Sequence, residues 1–149
     1  MARKVFFSFH YERDAWRVAQ VRNSNVVSDY DKNPFYDKAD WEAIKHRGDR
    51  AVRNWIDEQL RGTSVTVVLI GEETSTRRWV TYEIEQSVER EKGLLGIDIS
   101  KIANSRGETD ETGTNPLPAG YPIYRWNRDN GRENLGRWIE EAAQAAKSS

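Results

Sequence analysis

The sequence predicts an α/β fold, a five-stranded and mostly parallel sheet with helices on both faces. Three observations carry that expectation. Strand-like and helix-like segments alternate five times along the chain, and such alternation packs as a parallel sheet covered by helices. The strongest apolar run, Val65-Thr-Val-Val-Leu-Ile70, lacks the in-and-out polarity of a half-exposed strand and reads as buried on both faces. With 149 residues, the chain is expected to form one domain over 1–149, since a chain of this size buries roughly 70% of its unfolded surface.

The elements follow in order. Lys4 to Phe9 is a β-branched and aromatic run halted by the polar stretch His10 to Asp14, so it reads as a buried strand with a loop at its carboxyl end. Ala15, Ala19 and Val18 or Val26 recur at helical spacing and predict a helix ending near Asn23 to Asn25. After the turn-rich stretch Ser28 to Pro34, Phe35-Tyr36-Asp37 is a brief strand candidate, followed by a charged loop through Gly48. Asp49 can cap the next helix, whose face is Val52, Trp55, Ile56, Gln59 and Leu60 and whose stop is Gly62. Trp55 and, further on, Trp138 are expected as buried anchors of their helices.

Beyond Val65 to Ile70, the Thr74-Ser75-Thr76 cluster offers caps for a helix reaching about Lys92, with Val80, Ile84 and Val88 on its core face. Leu94 to Ile99 is the next strand after Gly93. The segment 101–120 is polar, rich in Gly, Asn, Thr and Pro, and long enough to predict a flexible loop or an active-site flap. Ile123 to Trp126 makes the last strand, and Leu135, Trp138, Ile139, Ala142 and Ala146 mark the face of a final helix.

Composition removes several function classes. Lys and Arg number 23 against 24 Asp and Glu, a net charge of −1, and attraction to nucleic acid or an anionic bilayer needs a positive surplus. Mean hydropathy is −0.86, and no apolar run approaches the ~18 residues of a membrane span. The amino terminus passes into the strand at Val5 without the apolar stretch and cleavage site of a secretory leader, so a soluble, cytoplasmic protein is expected. No cysteine is present, which excludes thiolate nucleophiles, disulfides and thiolate metal sites. With only His10 and His46 as histidines, no metal site is expected. A phosphate-cradling glycine loop, a GxSxG elbow and HExxH are all missing, and Gly93-Leu-Leu-Gly96 precedes a strand where a nucleotide loop would precede a helix.

One constellation remains, Arg77-Arg78-Trp79-Val80-Thr81-Tyr82-Glu83. On a helix Trp79 and Glu83 share a stripe turned about 100° from the core face. That puts Glu83 at the edge of the core above the strand ends, where ligands of open α/β sheets bind and where partial desolvation tunes a carboxylate. The other reading is structural: Glu83 pairs with Arg77, Arg78 or Arg90, and Trp79 anchors the core.

These motifs, in this order, resemble TIR domains. Val5-Phe-Phe-Ser-Phe9 resembles the family's first strand, and Phe35-Tyr36-Asp37 its second. The charged stretch Lys38 to Gly48 then corresponds to the BB loop, here without the usual proline, and Val65 to Ile70 to the third strand. Trp79-Val-Thr-Tyr-Glu83 matches Trp-x-x-x-Glu, whose Glu is catalytic in NAD-cleaving TIR enzymes. The likeness runs from about Lys4 to Ile99 and is strongest to the bacterial TIR-like branch that includes the Thoeris anti-phage TIR protein.

The resemblance implies a flavodoxin-like TIR fold and an enzyme that takes NAD+ as substrate, with no further cofactor. It implies Glu83 as the catalytic residue, flat surfaces from Trp79 and from Phe9 or His10, and hydrogen bonding from Ser8 and Asp37. Turn capping explains Ser8 and Asp37 equally well, His10 is also readable as a solvated loop residue, and Tyr11, Tyr82 and Trp41 as packing residues. The resemblance further implies self-association through Lys38 to Gly48 and an effector reached through a cyclic ADP-ribose isomer. Two alternatives stay open, a non-catalytic interaction module and a nucleotide-processing enzyme of a related fold.

Overall fold

The strand Val65–Ile70 is flanked on both sides, as its unbroken apolar run demands. The computed structural model describes residues 4–22 and 38–148. Among them β1 (Val5–Ser8), β2 (Val65–Ile70), β3 (Gly93–Asp98) and β4 (Ile123–Arg125) form one sheet in the order β1-β2-β3-β4, every pair parallel. The fold is therefore the expected α/β arrangement with four strands among the described residues. The fifth, Phe35 to Asp37, lies outside them.

Alternation along β2 assigns the helices to two faces. Val65, Val67 and Leu69 share a cluster with Leu95 and Ile97 of β3 and with Leu135, Trp138 and Ile139 of α5 (Gly131–Ser148). Val68 and Ile70 instead join Val80 and Ile84 of α4 (Arg78–Glu89). Two glycines of β3 make this packing possible. A Cβ on Gly93 would stand 2.8 Å from the Ala142 backbone of α5, and one on Gly96 would stand 2.6 Å from Ile123 Cδ1. The glycine pair thus serves close packing, which is why it follows no nucleotide-loop pattern.

Several local expectations change. In α1 (Ala15–Arg22) the buried face is Arg17, Val18 and Val21, while Ala15 is exposed, because Arg17 is drawn inward by polar partners described below. The stretch expected as a charged loop from Lys38 is a helix, α2 (Lys38–His46), in which Trp41 is buried and Ile44, three residues on, packs against the same core. The helix α3 (Asp49–Leu60) starts from Gly48 at φ 97°, so Asp49 is its first residue and pairs with Arg78 instead of capping. Trp55 is only half-buried at the edge of the core, whereas Trp138 is 2% exposed and stacks on Tyr124 with centroids 4.0 Å apart.

Thr74–Thr76 forms a short 3₁₀ turn, and α4 begins from Arg77 without a side-chain cap. The Thr74 hydroxyl accepts from Gly71 N at 2.7 Å instead. Val88 is 38% exposed, and the buried face of α4 is Val80, Glu83, Ile84 and Ser87. The polar half of that face is satisfied internally, since Ser87 Oγ lies 2.7 Å from Thr66 Oγ1 of β2 and donates to the Glu83 carbonyl.

Segment 101–120 carries no helix or strand. It is tied to α1 by Arg17, whose Nε donates to Ile102 O at 2.6 Å and whose Nη1 reaches Asp110 at 2.6 Å. Leu117 is buried against Val68 and Val80.

Candidate active site

The carboxyl end of β1 and the first turns of α4 meet at Glu83. Ser8 is the last residue of β1, and its register opposite Val68 directs it to the α4 face of the sheet. Its hydroxyl donates to Glu83 Oε1 at 2.5 Å, and the Tyr11 hydroxyl donates to Oε2 at 3.4 Å. Both Ser8 and Glu83 are 0% exposed, so Glu83 lies wholly inside the molecule and not at the edge of the core as its stripe predicts. The stripe shifts because Ser87, one turn on, also turns inward to Thr66. Among the described residues no arginine takes the carboxylate: Arg77 pairs with Glu12, Arg78 with Asp49 and Arg90 with Asp57. Burial pushes the Glu83 carboxyl up to about 8, against the opposing pull of its hydrogen bonds from Ser8 and Tyr11. It is largely protonated at neutral pH.

A cleft of about 250 Å³ opens beside this carboxyl, separated from it by Tyr11 and walled by Phe9, His10 and Tyr11 from the turn after β1, Trp41 from α2, and Arg77 to Val80 at the start of α4. Tyr11 both lines the cleft and touches the carboxyl. Trp79 is half-buried, edge-on to Tyr82, with the Arg78 guanidinium 4.3 Å above its ring. His10 is 7% exposed instead of solvated, and burial followed by nearby Arg77 lowers its pKa, which keeps it neutral at pH 7. At the rim Glu12 gathers Lys45 at 3.1 Å and Arg77 at 3.2 Å.

The structure thus brings together Ser8, Phe9, His10, Trp79 and Glu83, five of the six residues expected at the site. Asp37 lies outside the described residues. Asp98, another carboxylate at a strand end, is absorbed by a turn in which Ser100 N and Oγ donate to it at 2.8 and 2.6 Å. Sequence reasoning left Tyr11 and Trp41 as packing residues and missed that both wall the cleft. The available signal was the position of Tyr11 in the turn that carries His10.

A larger cavity of about 460 Å³ lies at the amino end of β3, lined by Val88, Lys92, Leu94, Tyr121 and Tyr124 among others. Size alone favours it. Chemistry favours the smaller cleft, which sits at the strand ends where α/β sheets bind ligands and shares the wall residue Tyr11 with a buried carboxyl. Among the described residues no cluster of acids and histidines is arranged to hold a metal ion, and no helix is long and apolar enough to cross a membrane.

Residues 6–104 match the family described as Thoeris protein ThsB, TIR-like domain. All six expected site residues fall inside that span. A Bacillus cereus protein named "Putative cyclic ADP-D-ribose synthase ThsB1" is 38% identical over 140 residues, an overlap covering 93% of this chain and 72% of that protein.

Proposed function

The chain belongs to the Thoeris ThsB TIR-like family, and on that footing we propose that it cleaves NAD+ at the nicotinamide–ribose bond and releases a cyclic ADP-ribose isomer. In this reading the isomer acts as a second messenger for an effector in anti-phage defence, inside the cytoplasm. The observation that carries the proposal is Glu83, a fully buried carboxyl held by Ser8 and by Tyr11, which also walls an aromatic cleft. The cyclic product is supported by the name of the Bacillus cereus relative.

The chemistry follows from the charges. The bond between ribose C1′ and the nicotinamide nitrogen breaks with its electron pair going to the nitrogen, so the base leaves neutral and needs no acid. Positive charge then gathers on the ribose, and a carboxylate in a dry site stabilises it far better than water does. In this reading Glu83 takes that task once ionised. In the free protein burial keeps it protonated, and the cationic nicotinamide ring entering the cleft favours the carboxylate. Trp79, Phe9 and neutral His10 offer flat faces to the base and sugar. A cleft of about 250 Å³ suits the nicotinamide and its ribose, leaving the diphosphate and adenosine near Arg77 and Arg78 at the rim. Attack at C1′ by a hydroxyl or ring nitrogen of the same molecule, with loss of its proton, closes the cyclic product; attack by water gives ADP-ribose.

The test is chromatography of NAD+ incubated with the protein at high concentration. Wild type should yield nicotinamide and a cyclic product. Glu83→Gln, which keeps the shape and removes the charge, should lose roughly 100-fold or more of the rate. Glu85 is exposed on the opposite side of α4, so Glu85→Gln should match wild type. Cleavage surviving in the Glu83 variant, or lost equally in both, would overturn the assignment.

A further inference from the structure

We propose that Tyr11 is a positioning residue for Glu83, its hydroxyl fixing the second carboxylate oxygen while its ring is held in place by Trp41 of α2. The proposal rests on the reading of Glu83 as the reacting carboxylate. Three observations converge on it. The two carboxylate oxygens have separate partners, Ser8 on Oε1 and Tyr11 on Oε2. The two bonds differ in kind: Ser8 is fixed by the β1–β2 register, whereas Tyr11 sits in a turn and relies on its ring contacts for placement. Those contacts enclose it. Phe9 lies at 4.3 Å and tilted by 46°, Trp41 at 4.5 Å and nearly parallel, and Trp55 edge-on at 6.3 Å.

Tyr11 is only 5% exposed, yet its ring forms cleft wall on one side and its hydroxyl meets Glu83 on the other. At 3.4 Å its bond is near the outer limit of a hydrogen bond, so a small displacement of the ring makes or breaks it. Trp41 is itself anchored, 3% exposed with its indole N–H donating to Glu12 at 3.4 Å. From each packed element, the groups facing Glu83 are Ser8 of β1, Tyr11 of the following turn, and Ser87 of α4, which bonds the backbone carbonyl and not the carboxyl. Glu12 pairs with both Arg77 and Lys45 at the rim, and no charged side chain among the described residues contacts the carboxylate. Tyr11 is thus one of two groups that tune it.

A packing residue and a positioning residue respond differently to Tyr11→Phe, which keeps the ring stack and deletes the hydroxyl. The midpoint of Glu83 is read by carboxyl-carbon NMR, its signal assigned by its absence in Glu83→Gln. The Tyr11 bond favours the ionised form, so its loss should move the midpoint to higher pH by about half a unit or more. NAD+ cleavage should fall several-fold at pH 7 and recover toward wild type at pH 9. Fluorotyrosine in place of Tyr11, a stronger donor of the same shape, should move the midpoint the opposite way, and it serves also if the Phe variant folds poorly. A midpoint unchanged in both variants overturns the proposal. If wild type cleaves no NAD+, the reaction reading falls, while the NMR midpoints still decide whether Tyr11 governs Glu83.

Discussion

The Ser8 hydroxyl donates to Glu83 Oε1 over 2.5 Å, joining the end of β1 to the second turn of α4 across 75 positions of sequence. Strand side chains alternate between faces, so a one-residue slip of β1 against β2 would aim Phe7 or Phe9 at the carboxyl in place of Ser8. The register Ser8 opposite Val68 is therefore a property of the site as much as of the sheet. Val68 packs with Val80 and Ile84, the residues that flank Glu83 on α4, so the contacts that stabilise the sheet also position the carboxyl.

Burial of Glu83 carries a stability cost with a definite pH dependence. Its carboxyl is raised from an ordinary 4.5 to about 8. Between those values the folded protein holds a proton that the unfolded chain has lost, so stability falls as pH rises from about 4.5 to about 8 and is level above. Glu83→Gln has no such proton. The variant should match wild type near pH 5 and exceed it by a few kcal/mol at pH 9. Paired urea unfolding at pH 5, 7 and 9 measures the difference, and a gap that does not widen with pH would contradict the buried carboxyl.

The long-range pattern was legible in the sequence and the polar interior was not. Val65 to Ile70 announced a central strand because hydrophobic burial on two faces leaves no alternation, and the structure flanks it with β1 and β3. Trp79 and Glu83 were legible as one stripe. The depth of Glu83 was not, because spacing ranks faces by apolarity, and the inward turn of Glu83 and Ser87 depends on Ser8 and Thr66, which come from two other elements. The helix Lys38–His46 was hidden for a similar reason: its apolar content is little more than Trp41 and Ile44, and the core that receives them is built from distant segments.

Two tryptophans expected to be equivalent anchors should separate. Trp138 is 2% exposed and stacked on Tyr124, so Trp138→Ala should cost about 3 to 5 kcal/mol. Trp55 is half-buried at the edge of the aromatic group around Tyr11 and Trp41, and Trp55→Ala should cost about 1 to 2 kcal/mol. Equal losses in thermal unfolding would count against this placement.

Asp110 should hold segment 101–120 in place. It accepts from Arg13 at 2.8 Å and from Arg17 at 2.6 Å, and the Arg17 side chain is 5% exposed. Asp110→Ala leaves the buried Arg17 guanidinium with only the carbonyls of Ile102 and Glu108, at a cost of about 2 to 3 kcal/mol. Hydrogen exchange should speed up across 101–117 in the variant. Exchange already unprotected in wild type would show that the anchors do not restrain the segment.

Self-association is expected to act through a helix and not through a loop. The segment Lys38 to Gly48 carries Trp41 on its inner side, where it walls the cleft and stacks on Tyr11, while Ala43, His46 and Arg47 are exposed. A neighbouring copy resting on that outer side would press on the element that backs Tyr11, and thereby on the setting of Glu83. With a net charge of −1 there is little long-range repulsion to oppose such contact. NAD+ cleavage per milligram should therefore rise with protein concentration in step with the oligomer seen by sedimentation. Ala43→Glu, a charge placed on the outer face away from the cleft, should lower both together while leaving the unfolding temperature nearly unchanged. Specific activity that stays flat over a hundred-fold range of wild-type concentration would rule this out.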